Sequence, residues 1–335
     1  MAVPPPAVPH VFNRHRYGVY SSLAMLAASQ LDLFTMLESG PRGVEHLAAE
    51  IGAKPDKLRM LLYVLVQSGL LELSGEQFAN TPESQLFLAR GGSGYVGEWN
   101  RLDQDLWHAV LQTAATLRSG EPQGLHDFTA MSDAAMADFF AGLHGGAMAT
   151  GANLAAGEDL GRFRHLLDVG GGSGGLAIGA CQRIPGLRAT VLDLPRITPI
   201  AQDYIVKAGL ADRITAIAAD LVAAPAPCSG DVAVMRAFLQ VLARDAAAAA
   251  LRNVGQAIAP GGMIFIIGHV LDDTRLAPPP VVGFNLAFLN VYRDGEAYCA
   301  SEYRGWLEAA GFADIDVRLG VIGAGTTIIA ARRAG

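Results

Sequence analysis

One stretch constrains this chain more than any other: Leu166-Leu167-Asp168-Val169-Gly170-Gly171-Gly172-Ser173-Gly174-Gly175. It reads as a short apolar strand ending in a carboxylate, then a run of glycines, then a helix opening at Leu176. Glycine lets the backbone turn sharply and approach a ligand where a Cβ would collide. The helix start behind it offers unpaired N–H groups. A second apolar strand, Ala189-Thr190-Val191-Leu192, ends in Asp193. An acid about 20 residues beyond such a loop can accept both hydroxyls of a ribose. A glycine loop alone serves any tight strand-to-helix turn. Loop, leading Asp168 and ribose-spaced Asp193 together point to a nucleoside-type cofactor.

From Arg164 onward strand and helix alternate. Strands are expected to end near Val169, Asp193, Ile217, Met235 and Ile267, with a helix over Asp245–Ile258 stopped by Pro260-Gly261-Gly262. Alternating units imply a parallel, doubly wound α/β sheet. The close is different. Ile315–Leu319 and Thr326–Ala331 read as two apolar strands joined by a turn at Gly323-Ala324-Gly325. Such a hairpin makes one strand antiparallel, which an NAD-type dehydrogenase domain would not have. With 335 residues, 51% of them hydrophobic, the chain can bury a large core and is expected to form two domains rather than one.

The N-terminal half is helical. Residues 1–16 read as a flexible arm, followed by a helix from Tyr17 to Leu37 with Leu23, Ala27, Leu31 and Phe34 at helical spacing. A shorter helix with Val44, Leu47, Ala48 and Ile51 follows, then one opening at Pro55 with Leu58, Leu61, Leu62 and Leu65. Strands at Leu70–Leu73 and Gln77–Asn80 flank a polar turn. Three helices and a hairpin make a winged-helix pattern. Such a module either reads DNA or serves dimerisation and substrate covering. The candidate recognition helix has Lys54, Lys57 and Arg59 but also Asp56, with Glu72 and Glu76 in the wing. DNA reading needs a concentrated basic face, so the second role is expected. A net charge of −7 argues the same way, against nucleic acid and anionic membranes.

Cys181, Cys228 and Cys299 lie far apart, without the spacing of a zinc site or a disulfide framework. No metal is expected. The first residues lack the basic-then-apolar form of a signal peptide, no apolar run has the flanks of a membrane span, and a cytoplasmic protein is expected.

The chain resembles the class I S-adenosylmethionine-dependent methyltransferases. More narrowly, it is similar to the small-molecule O-methyltransferases of plants and bacterial natural-product pathways that carry an N-terminal winged-helix dimerisation domain. The resemblance rests on Leu167–Gly174, Leu192-Asp193-Leu194-Pro195, Ala219-Asp220-Leu221, Pro260-Gly261-Gly262 and the Glu302-Tyr303…Leu307…Ala310-Gly311-Phe312 segment. It implies a Rossmann-like methyltransferase sheet with an antiparallel final strand over 161–335. A winged-helix domain over 1–95 and a helical connector lining the substrate pocket over 96–160 precede it. It also implies a homodimer through the N-terminal domain, a small-molecule substrate and S-adenosyl-L-methionine as cofactor. By position, Asp168, Gly170, Gly172 and Gly174 would surround the methionine part of the cofactor. Asp193 would bind the ribose, Leu194 would lie beside the adenine, Asp220 and Leu221 would contact the adenine amine and ring, and Arg236 would lie nearby.

The family's general base is a histidine in a Leu-His-Asp segment after the fourth strand. Here the segment reads Arg236-Ala237-Phe238-Leu239-Gln240-Val241-Leu242, so Gln240 takes its place. The two carboxylates that orient that histidine in plant members align with Gly268 and Ala297. Gln240 can hydrogen-bond a substrate but cannot take a proton near neutral pH. Methyl transfer from a sulfonium depends first on in-line orientation, so an already anionic oxygen or a neutral nitrogen could react without a base. Otherwise another residue has the role: His144, in a segment that aligns with the family's pocket lining, or His269, after the fifth strand, where open α/β sheets place ligands. Phe140, Asn285, Phe288 and Tyr292 are expected at the substrate, with Trp99, Trp107, Asn290 and Tyr298 nearby, and the aromatic content suggests a flat aromatic or polyketide-like molecule. Two other functions stand beside methylation. One is a methyltransferase-like protein that binds the cofactor and performs hydroxylation or a pericyclic step; the other is a winged-helix regulator that senses a nucleoside.

Overall fold

A strand buried on both faces needs an unbroken apolar run, and Val232–Met235 and Ile264–Ile267 in the C-terminal sheet are such runs. The structure, a computed structural model, describes residues 9–96, 99–322 and 325–335, with the backbone alone at Trp99 and Arg101. The first eight residues of the expected arm, the turn residues Gly323 and Ala324 and the Trp99 side chain therefore lie outside the described residues. The chain divides into two units, Met1–Asn100 and Arg101–Gly335.

The first unit contains α1 (His10–Gln30), α2 (Leu33–Met36), β1 (Arg42–Gly43), α3 (Val44–Ile51), α4 (Pro55–Gln67), β2 (Leu71–Ser74), β3 (Gln77–Asn80) and α5 (Pro82–Phe87). Its strands pair in the order β1-β3-β2, and Leu33, Phe34, Leu37, Leu47, Leu62, Leu65 and Phe78 make its core. Two expectations are corrected. The arm is helical from His10, and the first long helix ends at Gln30 rather than Leu37, because Asp32 takes a left-handed conformation (φ 56°) and breaks it. The buried face of α1 also differs from the expected one. Ala24, Leu26 and Ala28 are buried, while Leu23 is 46% and Leu31 39% exposed.

The second unit contains α6 (Trp99–Val110, whose first two residues fall in the first unit), α7 (Thr113–Ser119), α8 (Asp133–Gly157), β4 (His165–Val169), α9 (Gly175–Arg183), β5 (Arg188–Asp193), α10 (Thr198–Lys207), β6 (Ile214–Ala218), β7 (Gly230–Arg236), α11 (Arg244–Gly255), β8 (Ile258–Gly268), α12 (Pro279–Val291), α13 (Ala300–Ala309), β9 (Phe312–Ile322) and β10 (Thr326–Arg333). Seven strands form one sheet in the order β6-β5-β4-β7-β8-β10-β9. Strand β10 inserts antiparallel between β8 and β9, and the pairs from β6 to β8 are parallel. Pro260-Gly261-Gly262 does not stop the preceding helix, which ends at Gly255; it lies inside β8. Pairing with β7 jumps from Gly230↔Ile258 to Val232↔Met263, so these residues form a bulge. A Cβ on Gly262 would stand 2.5 Å from the Asp231 carbonyl oxygen.

Helices α8 and α9 cross at backbone distance. A Cβ on Gly151 would lie 2.1 Å from the Leu176 carbonyl oxygen, and one on Gly179 would lie 2.1 Å from that of Met148. The crossing sets the place of Phe140 and His144, both on α8. Gly179→Ala is expected to destabilise the protein by about 1–3 kcal/mol through overpacking, seen as a lower thermal midpoint. Gly145→Ala, in open space on α8, is expected to be neutral or mildly stabilising; equal losses at both positions would contradict the close crossing.

Candidate active site

The glycine loop leaves β4 and enters α9 through three left-handed residues, Gly170 (φ 64°), Gly172 (φ 56°) and Gly174 (φ 69°). Strand β5 runs parallel beside β4, with Val169 opposite Leu192, which brings Asp193 to the loop. The Gly172 N–H donates to Asp193 Oδ2 at 2.7 Å and the Leu194 N–H to Oδ1 at 2.7 Å. Asp168 accepts from the Ala177 N–H at 3.1 Å through Oδ2. Its Oδ1 is buried and has no hydrogen-bond partner among the described residues. Burial pushes Asp168 up to about 7, opposed by the Ala177 N–H and reinforced by the nearby Asp193 charge. Burial likewise raises Asp193 to about 6 against the two amides it accepts from. Two sequestered acids thus face each other's field with an oxygen to spare, an arrangement that favours a cationic or hydrogen-donating guest.

Asp168, Gly170, Gly172, Asp193 and Leu194 line a cavity of about 450 Å³, within the range of small-molecule sites. Arg236 lines it too, its Nε donating to Thr150 Oγ1 at 3.2 Å. The same cavity is walled by Phe128, Phe139, Phe140, Phe284, Phe288 and Tyr292. Most of their rings stand edge to face or tilted, Phe139 against Phe140 at 5.3 Å, Phe284 against Phe288 at 5.2 Å and Phe288 against Tyr292 at 5.9 Å, while Phe128 stacks on Phe140 at 6.0 Å. Flat apolar surfaces meeting at these angles suit a flat ring.

Several expected residues are elsewhere. His144 does not line the cavity. Its Nδ1 pairs with Ser173 Oγ at 2.8 Å and its ring stacks on Tyr204 at 3.9 Å, so it braces the glycine loop from behind. Asn285 spends its Oδ1 on the Ala297 N–H at 2.8 Å, holding the chain after α12. Asp220 caps its own turn through the Val222 and Ala223 amides, and Leu221 packs in the sheet core. Gly174 provides the left-handed entry to α9 and is not part of the lining. Asn290 is fully buried in a bond network with Thr113 and Thr116. Tyr298 is buried with its hydroxyl on the Leu242 carbonyl at 2.5 Å, and Trp107 packs beside α12. Periodicity and motif position place a residue on an element, but these polar groups find local partners that no spacing announces.

Gln240 and His269 do line the cavity, and they are joined. The His269 N–H donates to Gln240 Oε1 at 2.9 Å, and Gln240 Nε2 lies 3.2 Å from His269 Nδ1. Because the amide oxygen is fixed by the backbone donor, its nitrogen donates to Nδ1, and neutral His269 carries its proton on Nε2. The imidazole also stacks on Phe284 at 4.5 Å. Gly268 makes the arrangement possible, since a Cβ there would stand 2.4 Å from Gln240 Oε1. Burial, with the Arg236 charge, depresses His269 to about 4. Phe128, Phe139, Phe284 and His126 are lining residues that the sequence motifs do not mark; His126 sits in a connection with no recognisable pattern, paired with Asp105 at 2.7 Å.

With this geometry in place, comparison with known proteins decides the family. Residues 104–313 match the O-methyltransferase domain and residues 13–90 the O-methyltransferase dimerisation domain. The chain belongs to the O-methyltransferase family. It is 31% identical over 305 residues to the tetracenomycin polyketide synthesis 8-O-methyl transferase of Streptomyces glaucescens, covering 88% of this chain and 89% of that protein. It is 28% identical to the 3-hydroxy-5-methyl-1-naphthoate 3-O-methyltransferase of Streptomyces sahachiroi, covering 89% and 88%. The human N-acetylserotonin methyltransferase, solved in complex with S-adenosylmethionine, shares the fold at a TM-score of 0.82 and 24% identity, with both chains covered in full. This enzyme family's Rossmann-like sheet and N-terminal helical domain are therefore those expected from the sequence. Among the described residues no helix is long and apolar enough to cross a membrane, and no cluster of His, Cys, Asp and Glu could hold a metal.

His269 has a stability signature. The unfolded imidazole gains a proton below its ordinary 6.5, whereas the folded one resists until about 4. Stability contributed by the neutral group is thus complete above 6.5 and lost as pH falls toward 4. Relative to His269→Phe, the wild type is expected to lose on the order of 2–3 kcal/mol across that window and nothing above pH 7, measured by denaturant unfolding at a series of pH values. A parallel dependence in both proteins would contradict the buried, neutral assignment.

Proposed function

We propose that this O-methyltransferase moves a methyl group from S-adenosyl-L-methionine to an oxygen of a small aromatic or polyketide-like molecule. The observation that carries the reading is one cavity with two walls, the acid-flanked glycine loop and the aromatic rings. When bound, the cofactor supplies a methyl group activated by a sulfonium. The unpartnered Asp168 oxygen and the glycine cradle fit such a group. Asp193 is assigned to the ribose hydroxyls, Leu194 to the adenine, Gly170 and Gly172 to close backbone approach, and Arg236 to the neighbourhood of the cofactor. Phe140, Phe288 and Tyr292 hold the acceptor ring, and Gln240 positions it through His269. Orientation of this kind supplies several kcal/mol of a transfer barrier. The relatives' names, a polyketide 8-O-methyl transferase and a naphthoate 3-O-methyltransferase, support the substrate class.

A second reading has its own support. Gln240, Gly268 and Ala297 leave the usual base position without an ionisable group, as expected of a relative that binds the cofactor for hydroxylation or a pericyclic step. Transfer of labelled methyl to hydroxylated polycyclic aromatics decides between them. Calorimetry tests the cofactor assignment independently. Asp193→Ala is expected to weaken S-adenosylmethionine by about 1.5–3 kcal/mol. Binding to the wild type at pH 6–7 is expected to release protons, because positive charge beside Asp168 lowers a carboxyl raised to about 7. Unchanged affinity in the variant, and an enthalpy independent of buffer, would remove the assignment.

We also propose a homodimer through residues 13–90. Val11, Phe12, Tyr17 and Tyr20 on α1 are each about half exposed or more, as are Met60 and Tyr63 on α4. On α4 the cations are partnered, Arg59 by Glu45 at 3.1 Å and Lys57 by Asp56 at 3.7 Å. An apolar face with neutralised charge suits a protein partner better than phosphates. Light scattering is expected to give twice the 35.1 kDa chain mass at micromolar concentration; a monomer would overturn this.

A further inference from the structure

Loss of a base at Gln240 leaves open where a hydroxyl proton goes. His269 cannot take it in the arrangement observed, because Gln240 donates to its Nδ1 and the remaining ring nitrogen presents a hydrogen. The other imidazole lining the cavity, His126, has the opposite polarity. Its Nε2 stands 2.7 Å from Asp105 Oδ2 on α6. An ionised carboxylate only accepts, so Nε2 carries a proton, and in the neutral imidazole Nδ1 keeps its lone pair. That Nδ1 is buried with no hydrogen-bond partner among the described residues. Buried polar atoms are almost always paired, so this acceptor, on a residue that lines the cavity, calls for a donor that the chain itself does not supply.

The ring is also held in place. The His126 N–H donates to the Val291 carbonyl at 2.8 Å, and the Gly124 N–H to that of Asn290 at 3.0 Å, tying the segment to the end of α12. The imidazole stands edge to face with Phe139 at 5.4 Å and with Tyr292 at 6.0 Å, both rings of the aromatic wall. Its side chain is 6% exposed, whereas that of Asp105 is 63% exposed. A solvated carboxylate behind a buried imidazole orients it and stabilises the cation formed when it gains a proton, the role of the acid in hydrolase triads.

We propose that His126, oriented by Asp105, accepts the proton of a substrate hydroxyl bound in the aromatic cavity. The inference rests on the methyl-transfer reading and names the substrate class more closely: an aromatic ring system with a donor hydroxyl for His126 and an acceptor carbonyl for His269. The hydroxyl O–H bond breaks, its proton passes to Nδ1 and the electron pair stays on oxygen. That oxygen forms the new bond to the methyl carbon, and the pair of the broken sulfur–carbon bond remains on sulfur.

The test uses the full chain loaded with S-adenosylhomocysteine and two probes, the hydroxyanthraquinone alizarin and its dimethyl ether. The wild type is expected to bind alizarin at least tenfold more tightly than the ether. His126→Phe is expected to abolish that preference while ether affinity changes less than threefold. Asp105→Ala, at an exposed helix position, is expected to reduce the preference in a protein that folds normally. In labelled-methyl assays with S-adenosylmethionine, His126→Phe is expected to lower kcat by about 10²–10⁴ with KM changed only severalfold. A wild type that binds both probes equally, or variants that keep both the preference and kcat, would overturn the proposal. Methyl transfer unaffected by His126→Phe sinks this inference and spares the methyl-transfer reading. No transfer by the wild type, with a preference that depends on His126, sinks that reading and leaves His126 as the acceptor of the hydroxyl.

Discussion

The grip of Asp193 on the glycine loop is the interaction on which the rest of the site depends. Its two oxygens accept the Gly172 and Leu194 amides, so one side chain fixes the loop's curvature and the direction in which the chain leaves β5. That grip requires β4 and β5 to be parallel neighbours in the observed register, with Val169 beside Leu192 and the Gly170 N–H on the Leu192 carbonyl at 2.8 Å. The carboxylate is half of a turn before it is a ligand-binding group. Removing it therefore perturbs both, and the amides give a conservative asparagine only part of what the acid supplies.

Around that turn the chain relies on space rather than charge. Gly268 admits the Gln240 amide, and the amide holds His269 flat on Phe284. Desolvation is the consequence. His269 stays neutral down to about pH 4, while Asp168 retains its proton to about 7. Beside a neutral His269 an apolar aromatic guest is bound at little electrostatic cost, while Arg236 and Asp193 supply the charge in the cavity lining.

The fold was legible where hydrophobic period and glycine chemistry agree. The strand ends at Val169 and Asp193 fall where the sequence places them, and the turn between β2 and β3 is one residue shorter than expected because Ser74 joins β2. Legibility failed where a tertiary contact decides. The left-handed Asp32 breaks a helix that its apolar spacing continues, and Pro260-Gly261-Gly262 becomes a strand bulge because Gly262 must pass the Asp231 carbonyl. In the site, residues tied to the loop motif were readable: Asp168, Gly170, Gly172, Asp193. The polar residues beyond it were not. His144, Asn285 and Asp220 look equally suited to a ligand in sequence, yet each satisfies a neighbouring group. His126 carries no motif, and only the fold brings it beside Asp105, 21 positions away.

Gln240 is therefore not an isolated position at which one mutation could install a base. A histidine there would lose the amide oxygen that takes the His269 N–H. It would also meet no carboxylate at Gly268 or Ala297 to hold its tautomer, the requirement that makes an imidazole an effective base. Groups that act as a unit are strongly non-additive. Glycine at 268, glutamine at 240 and the Nε2 proton of His269 form one such unit, and its polarity is that of a donor. Gln240→His in isolation should accordingly change the rate on the native substrate only modestly, while releasing His269 from its present tautomer. A hydroxyl acceptor must then come from outside the unit, and of the imidazoles lining the cavity only His126 presents a lone pair.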